Sequence, residues 1–277
     1  MLLDEFAVPP DKWAGAPRQV SIALTNACDL SCKYCFAPKT RGTLEFERVS
    51  AWLRELDAHG ALGVGFGGGE PTLHPRFGDL CIYGSRNTKL AITFTTHGHH
   101  LDDPLLEKLK GHVHFIRISM DGIDTTYERL RRRPFAKLLQ RFAAVRKIAQ
   151  FGINYVVNAD TFPEIDRAVI LAKTVGASEL LLLPERPVNG AGGVSAEIMR
   201  QLITWVADFS GDIPLSISEN AAAGMPTCTP FKNEARLREY AHVDAYGTLK
   251  ATSFDTTGIS IGLDGIMSAL RQLARET

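Results

Sequence analysis

Six times along this chain, a short apolar run of strand character is followed by a longer stretch of helical spacing. The first run is Gln19-Val-Ser-Ile-Ala-Leu-Thr25, apolar at alternate positions. Residues 45–59 follow it, with Phe46, Val49, Trp52, Leu53 and Leu56 at helical intervals, until Gly60 stops them. The series continues as strand 62–66 with helix 76–84, strand 90–95 with helix 102–110, and strand 112–120 with helix 135–151, the last closed by Gly152. Strand 153–158 with helix 163–175, and strand 180–183 with helix 195–209, complete it. Parallel strands joined through helices have right-handed connections. The expected fold is therefore α/β, a partial (β/α)6 TIM-like barrel whose post-strand loops converge at one end.

The tail breaks the pattern. Residues 213–217 read as an edge strand, 219–238 as irregular or partly helical, 240–250 as a hairpin turning near 244–247, and 264–274 as a last helix. The expected organisation is an N-terminal extension at 1–17, the barrel at 18–217 and a short C-terminal cap at 218–277.

Composition narrows the class. With 277 residues, 45% of them hydrophobic, the chain can bury a core without a metal or disulfide to hold it. Lys and Arg total 31 against 31 Asp and Glu, which argues against nonspecific attraction to nucleic acid or an acidic membrane. No run approaches the roughly 18 apolar residues of a membrane span. The first ten residues carry Asp4, Glu5 and two prolines, unlike a signal peptide. Of five cysteines, Cys28, Cys32 and Cys35 cluster, whereas Cys81 and Cys228 stand alone. An odd, clustered set is a poor disulfide framework, so the chain is expected in the cytoplasm, with reduced thiols available as metal ligands.

The triplet lies in the loop after the first strand. Thiolates at such spacing bind an iron–sulfur cluster or zinc, and chance clustering or a zinc knuckle are the plainer alternatives. A structural zinc site wants a fourth ligand, and none lies nearby in sequence. Three thiolates on a cubane cluster leave one iron without a protein ligand.

Cys28-Asp-Leu-Ser-Cys32-Lys-Tyr34-Cys35-Phe36 resembles the signature of the radical SAM superfamily. Gly68-Gly69-Glu70-Pro71 after the second strand is similar to that family's GGEP segment, and Thr95-Thr96-His97-Gly98 to its Thr-Asn-Gly. Ile118-Ser119-Met120-Asp121-Gly122 and Tyr127-Glu-Arg-Leu-Arg131 resemble segments of the peptide-modifying branch. The resemblance covers about residues 18–217. It implies a [4Fe–4S] cluster on Cys28, Cys32 and Cys35, with S-adenosyl-L-methionine (SAM) chelating the open iron. It further implies that Glu70 receives the SAM ammonium, that Arg131 pairs with the carboxylate, and that Ser119 adds a hydroxyl. Gly68 and Gly69 would let the backbone approach SAM, and Tyr34 would lie against the adenine.

The reaction so implied is reductive cleavage of SAM to a 5′-deoxyadenosyl radical that takes hydrogen from a substrate C–H bond. The first substrate expectation is a ribosomally made peptide; the second is a small metabolite such as a sugar, nucleotide or amino acid. A flavodoxin or ferredoxin would supply electrons, and no nucleic acid or membrane is expected as a partner. Asn158, at the mouth end of the fifth strand, is read either as a SAM ribose contact or as a turn residue. Arg131, Arg132 and Arg133 could equally be a solvated face. His97, His99 and His100 are expected on a surface turn, with a substrate-contacting role as the alternative. Cys81 reads as packed core. Cys228 and the Val243-Asp-Ala-Tyr-Gly stretch resemble the start of the SPASM and twitch tails, which carry auxiliary clusters, but the further cysteines are missing. A cap that shapes the substrate site is expected in their place. With 27 residues before Cys28, the leader-binding domain of many peptide maturases is not expected here, and a peptide substrate is expected to be recognised by the barrel mouth, the tail or a separate partner.

Overall fold

The computed structural model describes residues 15–38, 40–188, 190, 192–218, 221–226 and 236–276. Its strands are β1 (Gln19–Thr25), β2 (Gly63–Gly68), β3 (Ala91–Thr96), β4 (Phe115–Ser119), β5 (Gln150–Val157), β6 (Leu180–Pro184), β7 (Leu215–Ile217), β8 (Tyr240–Val243), β9 (Thr248–Lys250) and β10 (Ile259–Ser260). They make one sheet in the order β10-β9-β8-β1-β2-β3-β4-β5-β6-β7. Pairing is parallel from β8 through β1 to β7, and antiparallel only for β9 with β8 and for β10 with β9.

The helices are α1 (Phe46–Ala58), α2 (Phe77–Asn87), α3 (Asp103–Leu109), α4 (Thr125–Arg131), α5 (Phe135–Val145), α6 (Ile165–Val175), α7 (Ala196–Ala207) and α8 (Ile266–Glu276). Their starts follow the local chemistry. The Asp102 side chain accepts from Leu105 N–H ahead of Pro104, and Ser195 accepts from Ile198 N–H. Gly176 closes α6 at φ 80°.

The alternation of the strands decides which face meets the helices. Val20, Ile22, Val64, Phe66, Ile92, Phe94, Ile116 and Ile118 are buried in one core with Leu53 and Leu56 of α1, Leu80 of α2 and Leu138 of α5. The opposite face carries Ser21, Gly65, Gly67, Thr93, Thr95, Arg117, Ser119 and Asn154, a polar and small-residue lining for the barrel interior.

Three elements depart from expectation, among them β10, which the sequence does not announce. The helix expected to reach 151 ends at Val145, and Gly152 sits inside β5, paired with Arg117. A Cβ at Gly152 would meet the Phe115 ring and the Glu179 stem, each at 2.9 Å, so close packing across the barrel floor claims this glycine. The apolar periodicity of 148–151 fits either a helix face or an inner strand, and pairing with β4 settles it. The helix α4 was not expected at all.

The tail does more than cover the barrel. β8 extends the sheet from the free edge of β1, from Gln19↔Tyr240 to Ile22↔Val243. The β8–β9 hairpin turns at 244–247 as expected, with Gly247 N–H donating to Asp244 O at 2.9 Å. The Glu55 carboxylate on α1 accepts Ile266 N–H and Met267 N–H at 2.9 and 3.0 Å, capping α8 from a distant part of the chain. Among the described residues, no helix is long and apolar enough to cross a membrane.

Candidate functional site

Because β1 to β6 are parallel, their C-terminal ends share one rim, and the candidate residues hang from it. The cysteine loop is pinned at its base. Thr25 Oγ1 donates to Gly42 O at 3.1 Å and lies 3.0 Å from Thr43 Oγ1, and Asn26 N–H donates to Gly42 O at 2.8 Å. Cys28, Cys32 and Cys35 are half-buried on this loop, none in a disulfide. Leu30 N–H donates to Cys28 Sγ at 3.4 Å, and Cys35 N–H to Cys32 O at 3.1 Å.

The donor set discriminates between metals. Among the described residues, the group of three ligand atoms lying within 4.8 Å of one another is Cys28, Asp29 and His97, not the three cysteines. A single zinc, at about 2.3 Å from each sulfur, would gather its thiolates to within about 4 Å of one another. Thiolates on separate irons of a cubane stand farther apart, so the triplet fits a cluster better than one ion.

The glycines of the second loop pack it against the cysteine loop. Gly68 has φ 122°, and a Cβ there would lie 2.2 Å from Thr25 O; one on Gly69 would lie 2.4 Å from Ala27 O. Gly69 N–H and Glu70 N–H donate to those same two carbonyls, at 2.7 and 2.8 Å. The close approach is thus to the cysteine loop itself. Gly68→Ala should cost about 1–3 kcal/mol in backbone strain, before the clash is counted. The urea midpoint should fall accordingly; an unchanged midpoint would contradict this packing.

Glu70 is the most telling residue of the site. Its side chain is 1% exposed. Oε1 accepts from Thr72 N–H, Thr72 Oγ1 and Thr96 Oγ1 at 3.2, 2.6 and 2.7 Å, and Oε2 accepts from His97 N–H at 2.9 Å. Among the described residues no Lys or Arg pairs with it, and the nearest basic group is His97 Nε2 at 3.3 Å. Nδ1 of His97 accepts from His99 N–H at 3.1 Å, while Nε2 faces Asp29 Oδ1 at 2.9 Å, which describes a neutral ring donating through Nε2. Burial lowers the His97 pKa further than Glu70 and Asp29 raise it. A buried carboxylate held by neutral donors is suited to receive a further, charged donor such as a ligand ammonium.

His97 is therefore no surface residue, contrary to expectation; it is 4% exposed. Asp29, within the cysteine spacing, holds the cluster of basic groups together. Its carboxylate meets His97, Arg133 Nη2 at 2.8 Å and His100 Nε2 at 3.2 Å. Partial burial pushes its pKa up, but Arg133 and the two histidines outweigh burial and hold it well below the usual carboxylate range. His99 Nε2 lies 2.9 Å from the Tyr127 hydroxyl, and burial beside His97 lowers its pKa to about 4.

Arg131 is largely enclosed as well, its side chain 11% exposed. Its guanidinium pairs with Asp121, and Nη1 donates to Cys32 Sγ at 3.6 Å, while Nε has no acceptor among the described residues. The Tyr34 hydroxyl donates to Asp121 Oδ2 at 2.6 Å, an engagement not foreseen for a residue expected to face adenine. Ser119 ends β4 on the interior face, half-buried. The Asn158 side chain is occupied by its own turn. Oδ1 accepts Asp160 N–H and Thr161 N–H at 2.9 and 3.0 Å, and Nδ2 donates to Glu185 Oε2 at 2.6 Å. Cys81 is fully buried on α2, and burial pushes its thiol pKa up. Cys228 lies outside the described residues.

Comparison with known proteins agrees with this site. The model of the radical SAM superfamily matches residues 22–170 of the 277. The AdoMet-dependent heme synthase of Methanosarcina barkeri is 26% identical over 219 residues, 75% of this chain and 62% of that protein. The sporulation killing factor maturation protein SkfB of Bacillus subtilis is 28% identical over 170 residues, 58% of this chain and 41% of that protein. The chain thus spans less than two thirds of either relative. Streptococcus suis SuiB, crystallised with its precursor peptide SuiA, shares the fold with a TM-score of 0.73 at 15% identity, over 89% of this chain and 62% of SuiB. Enzymes of this type use a [4Fe–4S] cluster and SAM, and the cysteine loop and the buried Glu70 of the loop beside it suit both. With more than half its length matched to the family and the expected residues gathered at one barrel rim, this chain belongs to the radical SAM superfamily.

Proposed function

We propose that this chain modifies a ribosomally made peptide at an unactivated C–H bond. The observation that carries the reading is the shared rim that brings Cys28, Cys32 and Cys35 beside a buried Glu70 lacking a fixed counter-ion. Cys28, Cys32 and Cys35 would hold the cluster, and Glu70 would take the SAM ammonium. Bound there, the two cofactors supply a one-electron cleavage of SAM and a 5′-deoxyadenosyl radical able to take hydrogen from carbon. The protein's own work is placement. Thr72, Thr96 and His97 N–H fix the Glu70 carboxylate, the Arg131 guanidinium would pair with the SAM carboxylate, Ser119 would add its hydroxyl, and Asn158 would reach the ribose. Gly68 and Gly69 hold the Glu70 loop against the cysteine loop, and the Tyr34 backbone offers adenine its polar groups.

The peptide assignment is supported by SkfB among the relatives and by the SuiB fold. The heme synthase relative favours the second reading, a small-molecule substrate. A flavodoxin or ferredoxin would deliver the electron. The location that suits a reduced cysteine triplet is the cytoplasm. A balanced formal charge gives nucleic acid and acidic membranes no general hold on the chain.

The test is coupling. Reconstituted enzyme with SAM, reductant and a short peptide encoded beside it should make 5′-deoxyadenosine faster than without the peptide, and the peptide mass should change. Stimulation by a small metabolite and none by the peptide would move the assignment to the second reading.

A further inference from the structure

We propose that Asp121 is a positioning residue that holds the Arg131 guanidinium on the Cys32 sulfur, and that this N–H···S bond raises the reduction potential of the cluster. The inference rests on the reading above that Cys28, Cys32 and Cys35 hold that cluster.

Asp121 is completely buried. Its Oδ1 accepts Val156 N–H from β5 at 3.0 Å, its Oδ2 accepts the Tyr34 hydroxyl from the cysteine loop at 2.6 Å, and the same oxygen pairs with Arg131 from the end of α4. One carboxylate therefore ties together three segments that meet only at the rim. Arg132 follows in the left-handed region at φ 54°, ending α4 where Arg131 turns back toward the cysteine loop. The Tyr34 ring lies 5.8 Å from the guanidinium carbon, a cation–π contact that adds to its fixation. Burial would weaken the Arg131 guanidinium as a base, but Asp121 and Tyr34 more than offset that, so it stays charged.

The consequence for the sulfur follows from charge. Asp121 and Arg131 together are neutral, so what they offer Cys32 is an oriented N–H donor at 3.6 Å. A donor on a ligand sulfur stabilises the reduced cluster, which carries one more negative charge, more than the oxidised one. Burial strengthens the effect. Without Asp121, the guanidinium loses its ion pair and keeps the looser contact with the Tyr34 ring, so the fork is no longer aimed at Cys32.

The experiment is a redox titration of the reconstituted protein without SAM, using dithionite and mediator dyes. One electron passes from dithionite to the cluster; no bond breaks and no proton moves. The double variant Asp121→Asn/Arg131→Met removes the pair as a neutral unit, so its midpoint reads the N–H···S bond. At the parent midpoint its reduced fraction should fall from half to about a tenth, equivalent to about 59 mV for one electron. Arg131→Lys keeps the charge but loses the fork, and should shift the midpoint in the same direction by less. A midpoint unmoved in both variants, with the cluster spectrum intact, overturns the proposal and leaves the cysteine assignment standing. A parent protein that takes up no cluster overturns both.

Discussion

A Cys32→Ala protein is expected to take up no stable [4Fe–4S] cluster and to release no 5′-deoxyadenosine above background. The loss should be near total because one of three thiolates is removed and no other thiolate on the loop replaces it. Among the described residues, the side chain known to meet Cys32 Sγ is Arg131, a cation that cannot ligate iron. The fold should survive. Cys32 is half-buried in a loop whose base is held by Thr25, Asn26, Gly42 and Thr43, not by the cysteine. Circular dichroism should therefore match the parent while iron content and cluster absorbance fall together. A variant that keeps its cleavage activity would show the ligand assignment to be wrong.

Glu70→Gln should separate the two cofactors. The substitution keeps the shape of the side chain and removes its charge, so the ammonium loses a charge-assisted hydrogen bond worth about 1.5–3 kcal/mol. That corresponds to SAM binding weaker by about tenfold to a hundredfold. The amide also brings N–H donors into a pocket built for an acceptor, where Thr72, Thr96 and His97 N–H all point inward, so the measured loss should lie toward the upper end. The base of the cysteine loop is held by Thr25, Asn26, Gly42 and Thr43 rather than by the Glu70 side chain, so cluster content should stay at the parent level. Equilibrium binding of SAM to the reconstituted variant checks this, and an unchanged affinity would remove Glu70 from the SAM site.

Much of the fold is legible in the sequence because β/α alternation leaves two separate periodicities, two residues on strands and 3.6 on helices. The caps at Asp102 and Ser195 and the stop at Gly176 are local chemistry, and local chemistry reads directly. Gly152 reads wrongly because a helix stop and a tight inter-strand contact use the same residue, and only the Phe115 and Glu179 neighbours distinguish them. The pairing of β8 with β1 joins residues about 220 apart in sequence, beyond any local pattern.

The site divides in the same way. The cysteines and Glu70 are legible by spacing and motif. The partners of Glu70 and Arg131 are not, because each is assembled from several loops. His97 looks like a surface histidine beside His99 and His100 until Thr96, Glu70 and Asp29 close around it. Asp121 stands in a segment already noted for its resemblance, but its link to Tyr34, 87 positions earlier, exists only in three dimensions. For Asn158, the turn contacts to Asp160 and Thr161 were one of the two expected roles, and the bond to Glu185 was not foreseen.

The central claim is that this barrel rim cleaves SAM reductively. The most direct measurement is to reconstitute the protein anaerobically with iron and sulfide, add SAM and dithionite, and follow 5′-deoxyadenosine by chromatography. The account predicts a cluster spectrum and time-dependent 5′-deoxyadenosine that depends on both SAM and reductant. A cluster-loaded protein that leaves SAM intact under these conditions would contradict it.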